Sequence, residues 1–329
     1  MINVKNGPID LVIPWVNGED PQWQQKAAPY LSVKDFNGER FRDWGTLKYL
    51  FRSIDRYLPW VNQIYLVTDN QIPNWLNLNN SHVQVIDHHE IIDDQFLPTF
   101  NSNAILMNAY KIPNLSEHFM IIEDDMLFTR PAKPEDFFVN GQPRDFLIES
   151  PISPNEDFAY ILMNTMMLIN RQFDKRKVLK QLRSKYLNLH YGIEIVRSLG
   201  SCFYRHFTGF YNRHCVQPYL KSEFKNVVEN VFPTECHETI THRVRGNHDI
   251  SEWIVRYYNL VTGNFIPSSP QRYRYFEIGQ FEDIRKAVND EKYFSICMND
   301  RDIHHFSQNI HQLRSILNEK FDQKSSFEK

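Results

Sequence analysis

An α/β fold is what this sequence predicts, with a mainly parallel sheet in the first half and a more helical C-terminal half. Three observations carry that expectation. Four short apolar runs (residues 9–16, 63–68, 82–86 and 118–122) alternate with stretches of helical spacing. Each run ends on acids or amides, and ligands of parallel sheets sit at the carboxyl ends of the strands. The 329 residues are 42% hydrophobic and 23% charged, enough for a large core without staples and too apolar for a disordered chain.

Residues 9–16 (IDLVIPWV) read as a buried strand that opens into the turn signal Asn17-Gly18-Glu19-Asp20-Pro21. Trp44, Leu47, Phe51, Ile54 and Leu58 step by three and four along one helix face, with Asp43 placed as the cap. Residues 63–68 (QIYLVT) and 82–86 (HVQVI) are the next strands, ending at Asp69 and Asp87. Residues 102–110 read as helix, and 118–122 (HFMII) as a strand ending at Glu123-Asp124-Asp125. Pro151 to Pro154 divides an α/β unit, 1–150, from a mostly helical part, 151–329. In that part residues 175–187, 218–230, 249–261 and 281–288 are expected helices, and 293–298 (YFSICM) a strand before Asn299-Asp300. Residues 323–329 are expected to fray. No repeat or low-complexity segment interrupts the pattern.

Several classes are set aside. Lys plus Arg number 37 and Asp plus Glu 40, a net charge of −3, which argues against nucleic acid as the main partner. Residues 1–5 (MINVK) lack the apolar core of a signal peptide, and no run of about 18 apolar residues exists to span a bilayer. Cys202, Cys215, Cys236 and Cys297 are too scattered for a disulfide scaffold, so a reducing, cytoplasmic setting is expected, with peripheral membrane contact left open. Aromatics reach 14%, read as a Phe- and Tyr-rich core, or else as sugar stacking or contact with a lipid-linked acceptor.

The chemistry-bearing groups are few. Asp124-Asp125, at a strand end, can hold Mg²⁺ or Mn²⁺ against a diphosphate; the bland alternative is a pair of solvated acids. His206, His214, His237, His242 and His248 lie close to Arg213, Arg243 and Arg245, a density suited to anion binding and proton transfer. A zinc site from the nearby cysteines lacks any regular ligand spacing, and reduced core thiols read better. Arg40, Arg42 and Arg52, around the first long helix, suit phosphate contacts or simply a solvated face. His88-His89-Glu90 lacks the paired histidines of a metal motif and reads as loop.

Taken together these segments resemble the Stealth family, which includes bacterial capsular polysaccharide phosphotransferases and the animal N-acetylglucosamine-1-phosphotransferase. IDLVIPWVNGEDP, from Ile9 to Pro21, looks like its first block. LKYLFRSIDRYLPWVNQIYLVTDNQIPNWLN, LPTFNSNAI and FMIIEDDMLF, between Arg40 and Phe128, follow the order of its second. FTGFYNRHCVQPYLK resembles the third, with His214 at the catalytic histidine. THRVRGNHDISEWIVRYYN resembles the fourth, with Arg245 at an essential arginine, and YFSICMND a terminal motif. Two positions depart: Leu106 stands where the family often has Glu, and Glu123 where Asn is frequent. Either Glu123 supplies some of the missing charge or the acceptor subsite differs.

The resemblance implies transfer of a sugar 1-phosphate from a nucleotide-diphosphate sugar, UDP-linked by expectation, to a hydroxyl of a glycan or lipid-linked oligosaccharide. A phosphodiester forms and nucleoside monophosphate leaves, in capsule, cell-wall or exopolysaccharide synthesis at the inner face of the membrane. It implies a Rossmann-like (GT-A-like) sheet in which residues 1–150 bind the nucleotide sugar. Asp124 and Asp125 hold Mg²⁺ or Mn²⁺. His214 is the base, Arg245 with Arg42 and Arg52 stabilises phosphoryl charge, and Asp10, Trp15, Asn17 and Asp20 hold the nucleotide end. A metal-dependent glycosyltransferase releasing nucleoside diphosphate is the rival enzyme. An inactive glycan-binding or assembly protein, kept open by Leu106, is the rival of another class.

Overall fold

The computed structural model describes residues 7–32, 41–154, 156–300 and 306–329. Strands β1 (Ile9–Pro14), β2 (Gln63–Thr68), β3 (Val83–Asp87) and β4 (His118–Ile121) form a parallel sheet in the order β3-β2-β1-β4. All four expected strands are therefore present, and the α/β class holds. The strand order reverses between β1 and β4, which opens a crevice at their carboxyl ends.

The sheet is covered on both sides, as runs without polar alternation require. Ile9, Leu11 and Ile13 of β1 join one core with Leu47, Leu50, Phe51 and Ile54 of helix α2 (Leu47–Tyr57). Val12 faces the other core, with Met107 of α3 (Ser102–Met107) and Leu260 of a later helix. Successive residues thus enter opposite layers, following the pleat.

The turn after β1 carries α1 (Pro21–Ala27), with Asp20 as its cap and Pro21 at the first position. Gly18 donates its N–H to Phe41 O at 3.1 Å, and a Cβ there would lie 2.3 Å from that oxygen, so only glycine permits the approach. Helix α2 starts three residues later than its apolar spacing suggests. Asp43 accepts from Gly45 N at 2.6 Å, and Gly45, at φ +69°, holds a left-handed turn before the helix begins. Asp43 therefore closes that turn and does not cap the helix.

The second half is built into the same core. After β5 (Met126–Phe128), β6 (Phe138–Val139) and β7 (Gln142–Asp145), helices α4 (Phe158–Gln172), α5 (Lys175–Gln181), α6 (Arg183–Tyr186) and α7 (Ile195–Ser201) follow. The expected helix over 218–230 is corrected: β8 (Gln217–Leu220) pairs antiparallel with β4, and α8 (Lys221–Asn226) starts only afterwards. Pro218 is tolerated because β8 is an edge strand, and Tyr219 is buried against Phe119. Next come α9 (Pro233–Thr241), α10 (Trp253–Thr262), β9 (Ile266–Pro267), β10 (Tyr273–Glu277), α11 (Phe281–Asn289), β11 (Ser295–Asn299) and α12 (Phe306–Lys320). A small sheet, β10-β11-β5, sets β11 antiparallel to β5.

The C-terminal residues do not fray. Glu328 binds Arg52 of α2, Phe327 packs on Phe51, and Lys329 N donates to Trp75 O at 2.9 Å. The tail is a covering strap of the first core. Among the described residues no helix is long and apolar enough to cross a membrane.

Candidate active site

The turn that leaves β4 places Glu123, Asp124 and Asp125 at the crevice. Ile122 N still bonds Val12 O, and Met126 N closes back on Glu123 O at 3.1 Å. Strand β5 begins at Met126 and pairs with β11, where Met298 N donates to Asp125 O and Cys297 faces Met126. That pairing sets the Cys297 thiol 3.1 Å from Asp125 Oδ2.

His214 arrives from the other side, on the segment leading into β8. Its backbone is left-handed, φ +44°. The loop is clamped upstream: Arg256 of α10, only 2% exposed, grips Asp145 of β7 through both oxygens at 2.8 Å and also holds Tyr211 O and the Asn212 amide. So anchored, His214 Nε2 lies 3.2 Å from Glu123 Oε2 and 3.8 Å from Asp125 Oδ2. The rings of Trp253 and Tyr275 stand edge-on to the imidazole.

This is a strongly negative, partly dry cluster. Burial, then Asp125, Asp43 and Glu123, raise the Asp124 carboxyl well above its ordinary value. Asp43 is raised as well, chiefly by burial against the pull of the Gly45 N–H. Burial works to lower the His214 imidazole, but Glu123 and Asp125 outweigh it, and the ring is held charged well above its ordinary range. Burial and Asp125 keep the Cys297 thiol protonated, consistent with its donating to that carboxylate. Behind them Glu252 is buried and pushed up to about 7, mainly by desolvation.

Asp125, His214 and Cys297 offer donor atoms all within 4.8 Å of one another, a spacing that can hold a metal ion. Of these donors the carboxylate suits a hard divalent cation, whereas the imidazole and thiol suit a softer one. Asp125 Oδ1 is buried without a hydrogen-bond partner, and the crowded carboxylates of Asp124, Asp125 and Glu123 gain most from a positive charge.

Beside the cluster, past the ends of β1 and β2, lies a cavity of about 500 Å³ lined by Trp15, Asn17, Asp43, Lys48, Trp75 and Arg314 among others. The Trp15 indole N–H is buried there without a partner. Asn17 and Asp20 are tied together through Gln71, which binds Asn17 N, Asn17 O and Asp20 Oδ2. Asp20 Oδ1 caps α1, and these N–H contacts hold its carboxyl below the usual range.

Other expected site residues lie elsewhere. Asp10 sits at the amino end of β1, fully buried, and accepts from Asn62 Nδ2 at 2.8 Å and Ser116 N at 2.7 Å; it ties loops at the far end of the sheet. Arg52 is 8% exposed and spends its guanidinium on both oxygens of Glu328, at 2.7 and 2.8 Å, and on Phe321 O. It holds the tail and does not reach the crevice. Arg42 pairs with Asp300, one residue past β11, at 2.9 Å, next to the cluster in sequence and sheet. Arg40 falls outside the described residues. Arg245 lies over the Phe158 ring, Phe158 meets Trp253, and Trp253 meets His214, so two aromatic rings link the arginine to the histidine. Its loop is fixed by buried Asp249, which binds His242 Nδ1, Gly246 N and Asn101 Nδ2.

Leu106 is 5% exposed in the second core, so its side chain packs the fold. His88-His89-Glu90 forms a single capped turn closed by Asp87 and Glu90. Cys202, Cys215, Cys236 and Cys297 are all free thiols. Sequence reasoning missed Cys297, Glu252 and Arg256. A cysteine inside an apolar strand reads as core until the partner of that strand is known.

Comparisons with known proteins bear on this geometry. Residues 7–32 match Stealth protein CR1, conserved region 1, and residues 40–145 match Stealth protein CR2, conserved region 2. The chain is 42% identical over 330 residues to the exopolysaccharide phosphotransferase cps2G of Lactiplantibacillus plantarum, covering 98% of both chains. It is 37% identical over 329 residues, again 98% of both, to the capsular polysaccharide phosphotransferase WcwK of Streptococcus pneumoniae. Over 334 residues it is 34% identical to the receptor polysaccharide phosphotransferase WefC of Streptococcus gordonii, covering 97% of this chain and 98% of that one. With two of its defining regions matched, and relatives alike from end to end, this chain belongs to the Stealth family.

Proposed function

We propose that the chain transfers a sugar 1-phosphate from a nucleotide-diphosphate sugar to a hydroxyl of a glycan or lipid-linked oligosaccharide. The product is a phosphodiester in capsule, cell-wall or exopolysaccharide synthesis, and the by-product is nucleoside monophosphate. The observation that carries this reading is the closure of His214 onto the carboxylates after β4, in a chain whose full-length relatives bear the name phosphotransferase.

The residue roles belong to the same proposal, and their placement supports them. The cavity between Trp15, Lys48 and Arg314 takes the nucleotide, with the Trp15 N–H free to bind a polar edge of the base or ribose. Asp124 and Asp125 hold Mg²⁺ or Mn²⁺, which supplies positive charge to the diphosphate. His214 would act as the base in its neutral form: with a cation offsetting Glu123 and Asp125, the ring would give its proton to solvent, and its Nε2 would then take the acceptor proton. Arg42 and Arg245 stabilise phosphoryl charge from opposite flanks, and the residues on either side of 150 act as one catalytic unit at the cytoplasmic face of the membrane.

A donor labelled at its β-phosphorus tests the reaction. Label in the glycan with nucleoside monophosphate released is the expected result. Label released as nucleoside diphosphate shows glycosyl transfer at the anomeric carbon and refutes the proposal.

A further inference from the structure

Twelve large apolar side chains are exposed among the described residues, and seven of them fall between residues 187 and 204. Leu189 and Phe203 are each 91% exposed and Ile193 is 74% exposed. Helix α7 is inverted relative to an ordinary surface helix. Val196 and Leu199 point outward, while Ser198 and Ser201 are buried.

The inversion is built in from below. Ser198 Oγ accepts from Glu149 N, Ser198 O accepts from the Tyr186 hydroxyl, and Ser201 O accepts from Lys175 Nζ at 2.7 Å. Lys175 and Glu149, both fully buried, pair at 2.8 Å beneath the helix. The Ser198 hydroxyl and the carbonyls of Ser198 and Ser201 are engaged inside, so the apolar side faces out.

Charge singles out the partner. Residues 171–206 carry nine Lys and Arg against two acids, in a chain whose net charge is −3. Seven of those cations are exposed against one exposed acid, Asp174, whose carboxylate is engaged in capping α5. A second copy of the chain would bring two such cationic surfaces together and is disfavoured. An anionic bilayer satisfies both the apolar face and the cationic surround.

We propose that residues 187–205 are the surface on which this chain docks to an anionic lipid bilayer. Leu189 and Phe203 enter the acyl boundary, and Arg176, Lys177 and Arg183 lie over the headgroups. This deepens the transferase reading by naming the membrane surface, but its test reads lipid binding and not turnover, so the two fail separately.

The test is co-sedimentation of the full chain with vesicles of phosphatidylglycerol and phosphatidylcholine, and with phosphatidylcholine alone. Cys202 is the exposed thiol and the other three are buried, so a polarity-sensitive dye there reports entry into lipid. The expected result is binding to the anionic vesicles, weakened by salt, with a blue shift of the dye. Leu189→Ser with Phe203→Ser should weaken binding by about tenfold or more, since each buried methylene contributes to partitioning. Both positions are solvent-exposed, so the melting curve should match the parent. Absence of binding, or equal binding to neutral vesicles, overturns the proposal. So does a double variant that binds lipid like the parent but converts a dimer to a monomer on size exclusion, which would assign the patch to self-association.

Discussion

Replacing Arg52 by Met separates two roles that one arginine in α2 was open to. Its guanidinium is 8% exposed and Glu328 opposite is 3% exposed, joined by two bonds of 2.7 and 2.8 Å. Methionine keeps most of the volume and leaves the Glu328 carboxylate buried with only Ser325 as donor. Stranding one partner of a buried pair costs about 3–5 kcal/mol. In a chain of this size that lowers the melting temperature by on the order of 4–7 °C. Glu328→Ala, or removal of the last five residues, should have a similar effect, because Phe327 and the Lys329–Trp75 bond depend on the same anchor. The pH dependence has a defined sign. Burial raises the Glu328 pKa, but the Arg52 and Ser325 donors outweigh it and the folded value lies below the ordinary 4.5. The pair's contribution is therefore present above about 4.5 and is lost as the pH falls through the lower folded value. Thermal melts followed by circular dichroism from pH 3 to 7 and a donor-binding titration of the folded variant form the assay. An Arg52→Met protein that melts like the parent yet binds nucleotide sugar poorly would refute the structural role and restore the phosphate contact.

Three further outcomes concern the site. Asp125→Asn should lower turnover by on the order of a hundredfold or more, and chelation should abolish activity until Mg²⁺ or Mn²⁺ is restored; full activity in EDTA contradicts the metal assignment. His214→Ala should depress turnover by about 10² to 10⁴-fold while nucleotide-sugar affinity, read by calorimetry, stays near the parent's. Arg256→Met, which releases Asp145 and Tyr211, should lower both the melting temperature and turnover; unchanged turnover would show that His214 needs no such clamp.

How much of this was legible in advance depends on the range of the contact. Strands β1, β2 and β4 announced themselves because both faces are buried and each run is largely apolar, while β3, with Gln84 exposed, was carried by its β-branched residues. The acids at their ends were legible for the same reason, since a parallel sheet sends all its carboxyl ends to one side. Asp10 misled because it lies in the same motif as Asn17 and Asp20, yet it belongs to the amino end of its strand. Arg52 misled because a charge on a helix near a loop looks solvated until the tail that covers it is placed. The segment 218–230 mixed two elements whose apolar residues, Tyr219 and Phe224, fit a strand and a helix equally well over so short a run. Cys297 was invisible as a site residue because 172 positions separate it from Asp125, and only the β11–β5 pairing brings them together.

That pairing has a consequence for how the centre is built. The carboxylates come from the first half, but two of the groups that face them arrive late: His214 by way of the loop entering β8, and Cys297 on β11. Crowded carboxylates repel one another, and burial without compensation raises their pKa, as Asp124 shows. An isolated N-terminal half would therefore hold its acids in a wetter and more open turn, with no imidazole beside them. The crevice gains its imidazole and its thiol only when the second half adds β8 to the central sheet and β11 to β5. Substitutions in β8 or the Arg256 clamp should thus act on chemistry without touching a reacting group, through the distance between His214 and the acids.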